Sequence, residues 1–202
     1  MVVGIVLAAG LSTRMGNFKQ LLPFAGQTVV QHVVDLVKSQ LDDVVVVLGH
    51  RASEVVGVLD KHRVRSVVNR NYAKGMTTSV QCGIAATLEA DGYLICLGDQ
   101  PGITIEVISH VITAAKNEKK SIVIPTYNGK RGHPVYIGKP YVDEILALPV
   151  DRGLNMVTRG HPEDTLELPL TQREILDDMD TPADYQRELA RREKAEKNKW
   201  KI

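Results

Sequence analysis

The 202-residue chain carries almost no net charge, since 25 Lys and Arg stand against 24 Asp and Glu and leave +1. A balance this close excludes a global field for nucleic acid or for an acidic membrane surface. Aromatic residues are scarce, at 4%, which removes the stacking platforms that single-stranded nucleic acid needs. Cysteine is scarcer still. Cys82 and Cys96 have 13 residues between them, a spacing that fits neither a metal site nor a redox pair, and two such thiols suit a reducing compartment. No apolar run reaches the ~18 residues that read as a membrane span, and no basic segment precedes the apolar N-terminus. The expectation is a cytoplasmic protein whose partners are small molecules, with no nucleic acid and no membrane. Repeats, linkers and low-complexity stretches are also missing. With 44% hydrophobic residues there is enough for one core, so residues 1–202 are expected to form a single domain, with 186–202 a charged, solvated helical tail.

What the chain does have is a series of apolar runs that each empty into a polar loop. Residues 2–7, 44–48 and 93–97 read as strands buried on both faces. Further strands are expected over 65–68, 121–126 and 135–137, and a strand end at Ile175 and Leu176. Thr28 is placed to cap a helix through residue 38, because Val29, Val30, Val33, Val34 and Val37 recur at helical spacing. Other helices are expected over 53–61, from a cap at Thr77 or Thr78 to 88, over 103–117, over 139–148, and after Thr181 and Pro182. Strands alternating with helices predict an α/β domain whose central sheet is mostly parallel.

The first of these loops organises the rest. Leu7-Ala8-Ala9-Gly10-Leu11-Ser12-Thr13-Arg14-Met15-Gly16-Asn17-Phe18-Lys19 leaves the first strand with two glycines that let backbone N–H groups approach a ligand, and with two cations, Arg14 and Lys19, to neutralise phosphate. Five residues separate Gly10 from Gly16 and Asn17 follows, so this is no Walker A loop. No GxGxxG follows the strand either. The third apolar run delivers Gly98-Asp99-Gln100-Pro101 beyond the carboxyl end of its strand, where ligands of open parallel sheets bind. A carboxylate there needs a cation or a pairing partner, although Asp99 would also serve as a cap for the helix that follows.

The loop pattern LAAG-x-S-x-RMG-x-x-K resembles the MobA-like NTP transferases, most closely their molybdenum cofactor cytidylyltransferase (MocA-like) branch. Four later stretches resemble the same family in the same order: Asn69 through Gly75-Met76 to Ser79, GDQP at 98–101, RGHPV at 131–135, and D-x-D-T-P-x-D-Y at 178–185. The resemblance implies a three-layer αβα, Rossmann-like architecture of the nucleotide-diphospho-sugar transferase (GT-A-like) kind. It implies that Leu7, Ala8, Ala9, Gly10, Arg14, Lys19, Asn69, Gly75, Ser79 and Gly98 bind the nucleotide. Asp99 and Asp180 would hold Mg²⁺, with Asp178 as the fallback for Asp180, and Arg131 and His133 would meet the acceptor. Arg14, Lys19 and Asp99 would carry the catalysis. Read without the resemblance, Asn69 and Gly75 are turn residues, Ser79 is a helix-surface hydroxyl and His133 is a loop residue before proline.

LAAG in place of LAGG implies CTP more than GTP, and the family implies a molybdopterin-type acceptor bearing a phosphate, with a molybdoenzyme or its chaperone as a possible protein partner. The chain departs from the family at 150–155. Val150, Leu154 and Asn155 replace the Gly, Ala and Arg of G-D-x-G-A-R, so the acceptor-phosphate contact made by that Arg is not expected here. Two other readings stay open: a sugar- or polyol-phosphate nucleotidyltransferase, and a non-catalytic cofactor-insertion or chaperone protein that keeps the nucleotide site.

Overall fold

A computed structural model of the chain describes residues 1–199, with side chains through 197. In chain order its elements are β1 (Val2–Ala8), β2 (Pro23–Phe24), β3 (Gln27–Thr28), α1 (Val29–Lys38), β4 (Asp43–Leu48), α2 (Ala52–Leu59), β5 (Arg65–Val68), α3 (Met76–Ala85), β6 (Gly92–Leu97), α4 (Ile105–Asn117), β7 (Ile122–Tyr127), β8 (Lys130–Arg131), β9 (Val135–Gly138), α5 (Val142–Leu146), α6 (Asn155–Gly160), β10 (Thr165–Pro169) and α7 (Pro182–Lys199). The main sheet runs β10-β7-β9-β6-β1-β4-β5, with β8 added to β7. Within this sheet β9 and β8 run antiparallel to their neighbours and the other pairs are parallel, while β2 and β3 form a separate antiparallel pair.

Alternation along β1 assigns its side chains to two layers. Val3, Ile5 and Leu7 join Val80 and Ile84 of α3, Val142 and Ile145 of α5 and Val157 of α6 on one face. Val6 and Ala8 join Val30, Val33, Val34 and Val37 of α1, Val55 and Leu59 of α2, and Ile108 and Val111 of α4 on the other. The result is a single three-layer αβα domain. Helix α1 lies so close that a Cβ on Gly4 would stand 2.6 Å from Val37 Cγ1. It is started by a capping box, in which Thr28 Oγ1 accepts from Gln31 N while Gln31 Oε1 accepts from Thr28 N at 2.9 Å, as its sequence pattern predicts.

Several boundaries differ from the sequence reading. Neither Thr77 nor Thr78 caps α3. Gly75, at φ +116, is the N-cap, and Thr78 Oγ1 instead donates back to Gly75 O and Asn71 O at 2.9 and 3.1 Å. Helix α3 stops at Ala85 rather than 88, where Thr87 Oγ1 bonds the carbonyl of Gly83. Helix α4 begins at Ile105 because the Thr104 hydroxyl accepts from Val107 N. Residues 139–141 form a 3-10 turn ahead of the shorter α5.

Ile175 and Leu176 end no strand but lie in a 3-10 turn over Arg173–Leu176. Neither α6 nor β10 is legible in the sequence; β10 is a short edge strand closed by Pro169, too brief for its alternation to register. The tail is more than solvated charge. Glu188 of α7 is 1% exposed and takes an ion pair from Arg191 at 2.8 Å, while residues 200–202 lie outside the described part. Among the described residues no helix is long and apolar enough to cross a membrane.

Candidate active site

The site forms beyond the carboxyl ends of β1 and β6, which are parallel neighbours. Gly98 N donates to Leu7 O at 2.9 Å. A Cβ on Gly98 would stand 2.8 Å from Leu7 O and 3.2 Å from Gln20 Oε1, so only glycine lets the two strand mouths close up. The loop after β1 folds back on itself, with Lys19 N donating to Ser12 Oγ at 3.2 Å, and Lys19 ends in a buried 3-10 turn.

A third segment, residues 173–181, is strapped across this mouth. Met179 N donates to Asp99 O at 3.0 Å and His133 N to Ile175 O at 3.0 Å. Met179 and Met15 are buried together with Phe24 and Val29, and Tyr185 and Leu189 of α7 pack against them. Each of those methionines is flanked by a charged residue, so burying both in one cluster brings Arg14 beside Asp180. Arg14 Nη2 donates to Asp180 Oδ2 at 2.6 Å. The strap is completed by a second capping box: Asp184 Oδ2 accepts from Thr181 N at 2.8 Å, and Thr181 Oγ1 accepts from Asp184 N. The Thr181 hydroxyl leads the set of bonds that hold the Asp184 carboxyl down at about 2.

Lys19 is the centre of the arrangement. Its ammonium contacts Asp99 Oδ2 and lies 2.9 Å from Asp180 Oδ1, with only 9% of its side chain exposed. Burial works against the charged form, but the attraction of Asp99 and then Asp180 outweighs it and raises the Lys19 pKa. Asp178 does not reach the ammonium. Its Oδ1 accepts from Gln100 Nε2 at 2.9 Å, and burial, reinforced by the charge of Asp99, raises its pKa. Of the two alternatives on the strap, Asp180 is the one that shares a cation with Asp99.

Next to this ion cluster is a cavity of about 250 Å³ lined by Leu7, Ala9, Gly10, Lys19, Gly75, Ser79 and Asp99, all of them read from the sequence. It is also lined by Gln20, Tyr72, Met76 and Leu97, which sequence reasoning missed. Gln20 is 2% exposed and its Oε1 has no hydrogen-bond partner, an arrangement that suits a ligand donor group. Its position directly after Lys19 was the available signal.

Other residues named from the sequence lie elsewhere or are already committed. Asn69 is buried, with Nδ2 donating to Thr78 Oγ1 and Ser79 Oγ at 2.8 and 3.0 Å and Oδ1 accepting from Asn71 N. It ties the 69–79 loop together and does not line the cavity. Arg131 pairs with Glu167 at 2.7 Å and lines a separate depression with Tyr127, Asn128, Lys130, Arg173, Leu176 and Asp177. Ala8 and Gly98 do not line the cavity. The 149–155 segment abuts the start of α3, where Thr77 Oγ1 donates to Arg152 O.

His133 is half-buried near Asp99, and burial lowers its pKa to about 4, against a smaller upward pull from that carboxylate. The unfolded chain binds a proton near 6.5 that the folded chain refuses, so stability falls as pH drops from 6.5 towards 4. The loss from this residue reaches up to about 3 kcal/mol at the acid end. In urea unfolding between pH 7 and pH 4.5, His133→Asn should flatten this part of the profile; an unchanged slope would show that His133 is not its source.

Two carboxylates on one point form an all-oxygen donor set that fits a hard divalent cation, since such ions are commonly held by one or two carboxylates with phosphate oxygens and water completing the shell. Among the described residues no group of three or more His, Cys, Asp or Glu side chains is arranged to hold a metal unaided. A metal held by this pair would complete its shell with water or with oxygens of a bound phosphate.

The αβα fold, with a phosphate-type loop and two carboxylates at the mouth of its parallel strands, is that of a nucleotidyltransferase. The chain belongs to the MobA-like NTP transferase family, whose domain matches residues 4–165. It is 28% identical over 182 residues to the molybdenum cofactor cytidylyltransferase of Escherichia coli K12, covering 90% of this chain and 92% of that protein. A nucleotidyl transferase from Methanothermobacter thermautotroptrophicus superposes with a TM-score of 0.81 at 26% identity, over 95% of this chain and 97% of that one. The Rv0371C protein of Mycobacterium tuberculosis H37Rv, in complex with manganese, superposes with a TM-score of 0.79 at 27% identity, over 94% and 98% of the two chains.

Proposed function

We propose that the protein transfers CMP from CTP to the phosphate of a molybdopterin-type cofactor, with Mg²⁺ and with release of pyrophosphate. The observation that carries this reading is the Lys19 ammonium between Asp99 and Asp180, beside a cavity lined by the first loop and the start of α3. The likeness to a cytidylyltransferase over nine-tenths of the chain supports the choice of nucleotide and acceptor.

An oxygen of the acceptor phosphate attacks the α-phosphorus, and the bond to the β-phosphate oxygen breaks so that pyrophosphate leaves with the electron pair. The acceptor is already an anion, so no side chain has to remove a proton. What the chain supplies is charge and alignment. Gly10 and its neighbours offer backbone N–H groups, Arg14 and Lys19 neutralise the phosphates, and Gln20 accepts a donor of the nucleotide. Asp99 and Asp180 would hold Mg²⁺, which would supply charge compensation and in-line orientation. His133, kept neutral by burial near Asp99, would meet the acceptor.

The test is pyrophosphate release by the full chain with each of the four NTPs and Mg²⁺, with and without molybdopterin cofactor. Release from CTP that depends on the cofactor is the expected result. Equal release with a sugar or polyol phosphate in its place, or tight nucleotide binding with no release from any NTP, would overturn the acceptor or the activity respectively.

A further inference from the structure

The charges of Arg14, Lys19, Asp99 and Asp180 are paired with one another. Lys19 neutralises Asp99 and shares Asp180, while Arg14 occupies the second oxygen of Asp180. The cations expected to receive the triphosphate are therefore the ones that sit on the carboxylates expected to receive the metal. Nζ of Lys19 occupies the space between Asp99 Oδ2 and Asp180 Oδ1, which a divalent cation held by the two carboxylates would need for itself.

We propose that Lys19, assisted by Arg14, is the resident counter-ion of the Asp99–Asp180 pair, and that a divalent cation enters only by exchange, as the nucleotide draws the two cations onto its phosphates. The proposal rests on the reading of Asp99 and Asp180 as metal ligands.

Neither half of the exchange is favourable alone. If a metal displaced Lys19 with no nucleotide present, a side chain only 9% exposed would lose both anionic partners and hold an uncompensated charge in a poorly hydrated place. If a nucleotide drew Lys19 away with no metal present, Asp99 and Asp180 would face each other and the phosphates without a cation. Taken together the two steps conserve charge pairing: carboxylate–ammonium and carboxylate–guanidinium contacts become carboxylate–metal and phosphate–cation contacts. Metal and nucleotide are thus coupled through the position of one side chain, and the coupling is reciprocal. Met15 and Met179, buried together, keep the carboxylates and the loop in register while the charges change partners.

The consequence runs against the ordinary expectation for an active-site lysine, because its removal should improve metal binding. Mn²⁺ serves as the probe, measured by titration calorimetry and by the loss of its free-ion resonance signal, with no nucleotide present. Wild type should bind Mn²⁺ weakly. Lys19→Met, which keeps the bulk and removes the charge, should bind it about ten- to a hundredfold more tightly, and Lys19→Arg should stay weak. Adding Asp99→Asn to Lys19→Met should abolish the gain, which locates it at this pair.

Should Lys19→Met fail to fold, Arg14→Gln replaces a side chain that is 71% exposed and should tighten Mn²⁺ binding by about twofold or more. Equal or weaker Mn²⁺ binding by the folded Lys19→Met protein, or by Arg14→Gln where only that variant folds, overturns the exchange. A gain in Mn²⁺ affinity by the variant alongside failed CMP transfer by wild type would leave the exchange standing and overturn only the CTP-to-cofactor reading.

Discussion

Asp99→Asn is expected to lower the rate of nucleotidyl transfer by about 10²–10³-fold, with a smaller fall in the thermal midpoint because Lys19 keeps Asp180 as a partner. The substitution keeps the shape of the side chain and removes the charge that Lys19 contacts and that a metal requires. The backbone carbonyl of Asp99, which accepts from Met179 N, stays in place, so the strap remains attached and the larger effect falls on chemistry. Pyrophosphate release at saturating nucleotide measures it. A rate within a factor of about two of wild type would remove the carboxylate from the transfer step, since losing a group that stabilises transition-state charge costs on the order of 3 kcal/mol.

Gly132→Ala should act on both stability and activity, although Gly132 contacts neither Lys19 nor the cavity. Its Cβ would stand 2.9 Å from the carbonyl carbon of Ile175 and closer still to the oxygen. Both are backbone atoms that no rotamer change relieves. The neighbouring bond from His133 N to Ile175 O ties the same two segments together. Pushing Ile175 outwards moves the strap that carries Asp178 and Asp180. Overpacking of this kind costs about 2–3 kcal/mol, a fall of about 4–12 °C in melting temperature for a chain of this size. Transfer should fall with it, and excess Mg²⁺ should restore part of the rate if Asp180 is displaced rather than lost. A melting temperature equal to wild type would mean that the strap yields freely at Ile175.

The RGHP glycine illustrates what a motif does and does not reveal. Its presence in the sequence points to the site, but its reason lies in a segment more than 40 residues further on, which crosses it with no room for a side chain. Asn69 shows the opposite case. Its place in a family-like stretch suggests a nucleotide contact, yet its amide is consumed by Thr78, Ser79 and Asn71, a local network of short polar groups that sequence spacing cannot distinguish from ligand binding. Arg131 is drawn away by Glu167 on β10, a strand whose existence the sequence does not disclose. Gln20 was overlooked because its place after Lys19 is a weak signal for an isolated glutamine, and its burial without a partner is what marks it out.

The sequence by itself determined the strands that are buried on both faces, the Thr28 cap, the loop after β1 and the position of Asp99 at a strand's end. Each of these rests on local physics: apolar periodicity, a hydroxyl before a helix, glycines where the backbone must approach a ligand. The antiparallel insertion of β9, the edge strand β10 and the choice of Asp180 over Asp178 belong to the tertiary structure. So does the closing of two carboxylates on one lysine ammonium. These depend on which distant segments meet, and that was fixed by burial of Met15 and Met179 in one cluster and by hydrogen bonds from the strap to Asp99 and His133. Spacing along the chain holds no record of such contacts, because the hydrophobic effect rewards the area that is buried and not the order in which its pieces were connected.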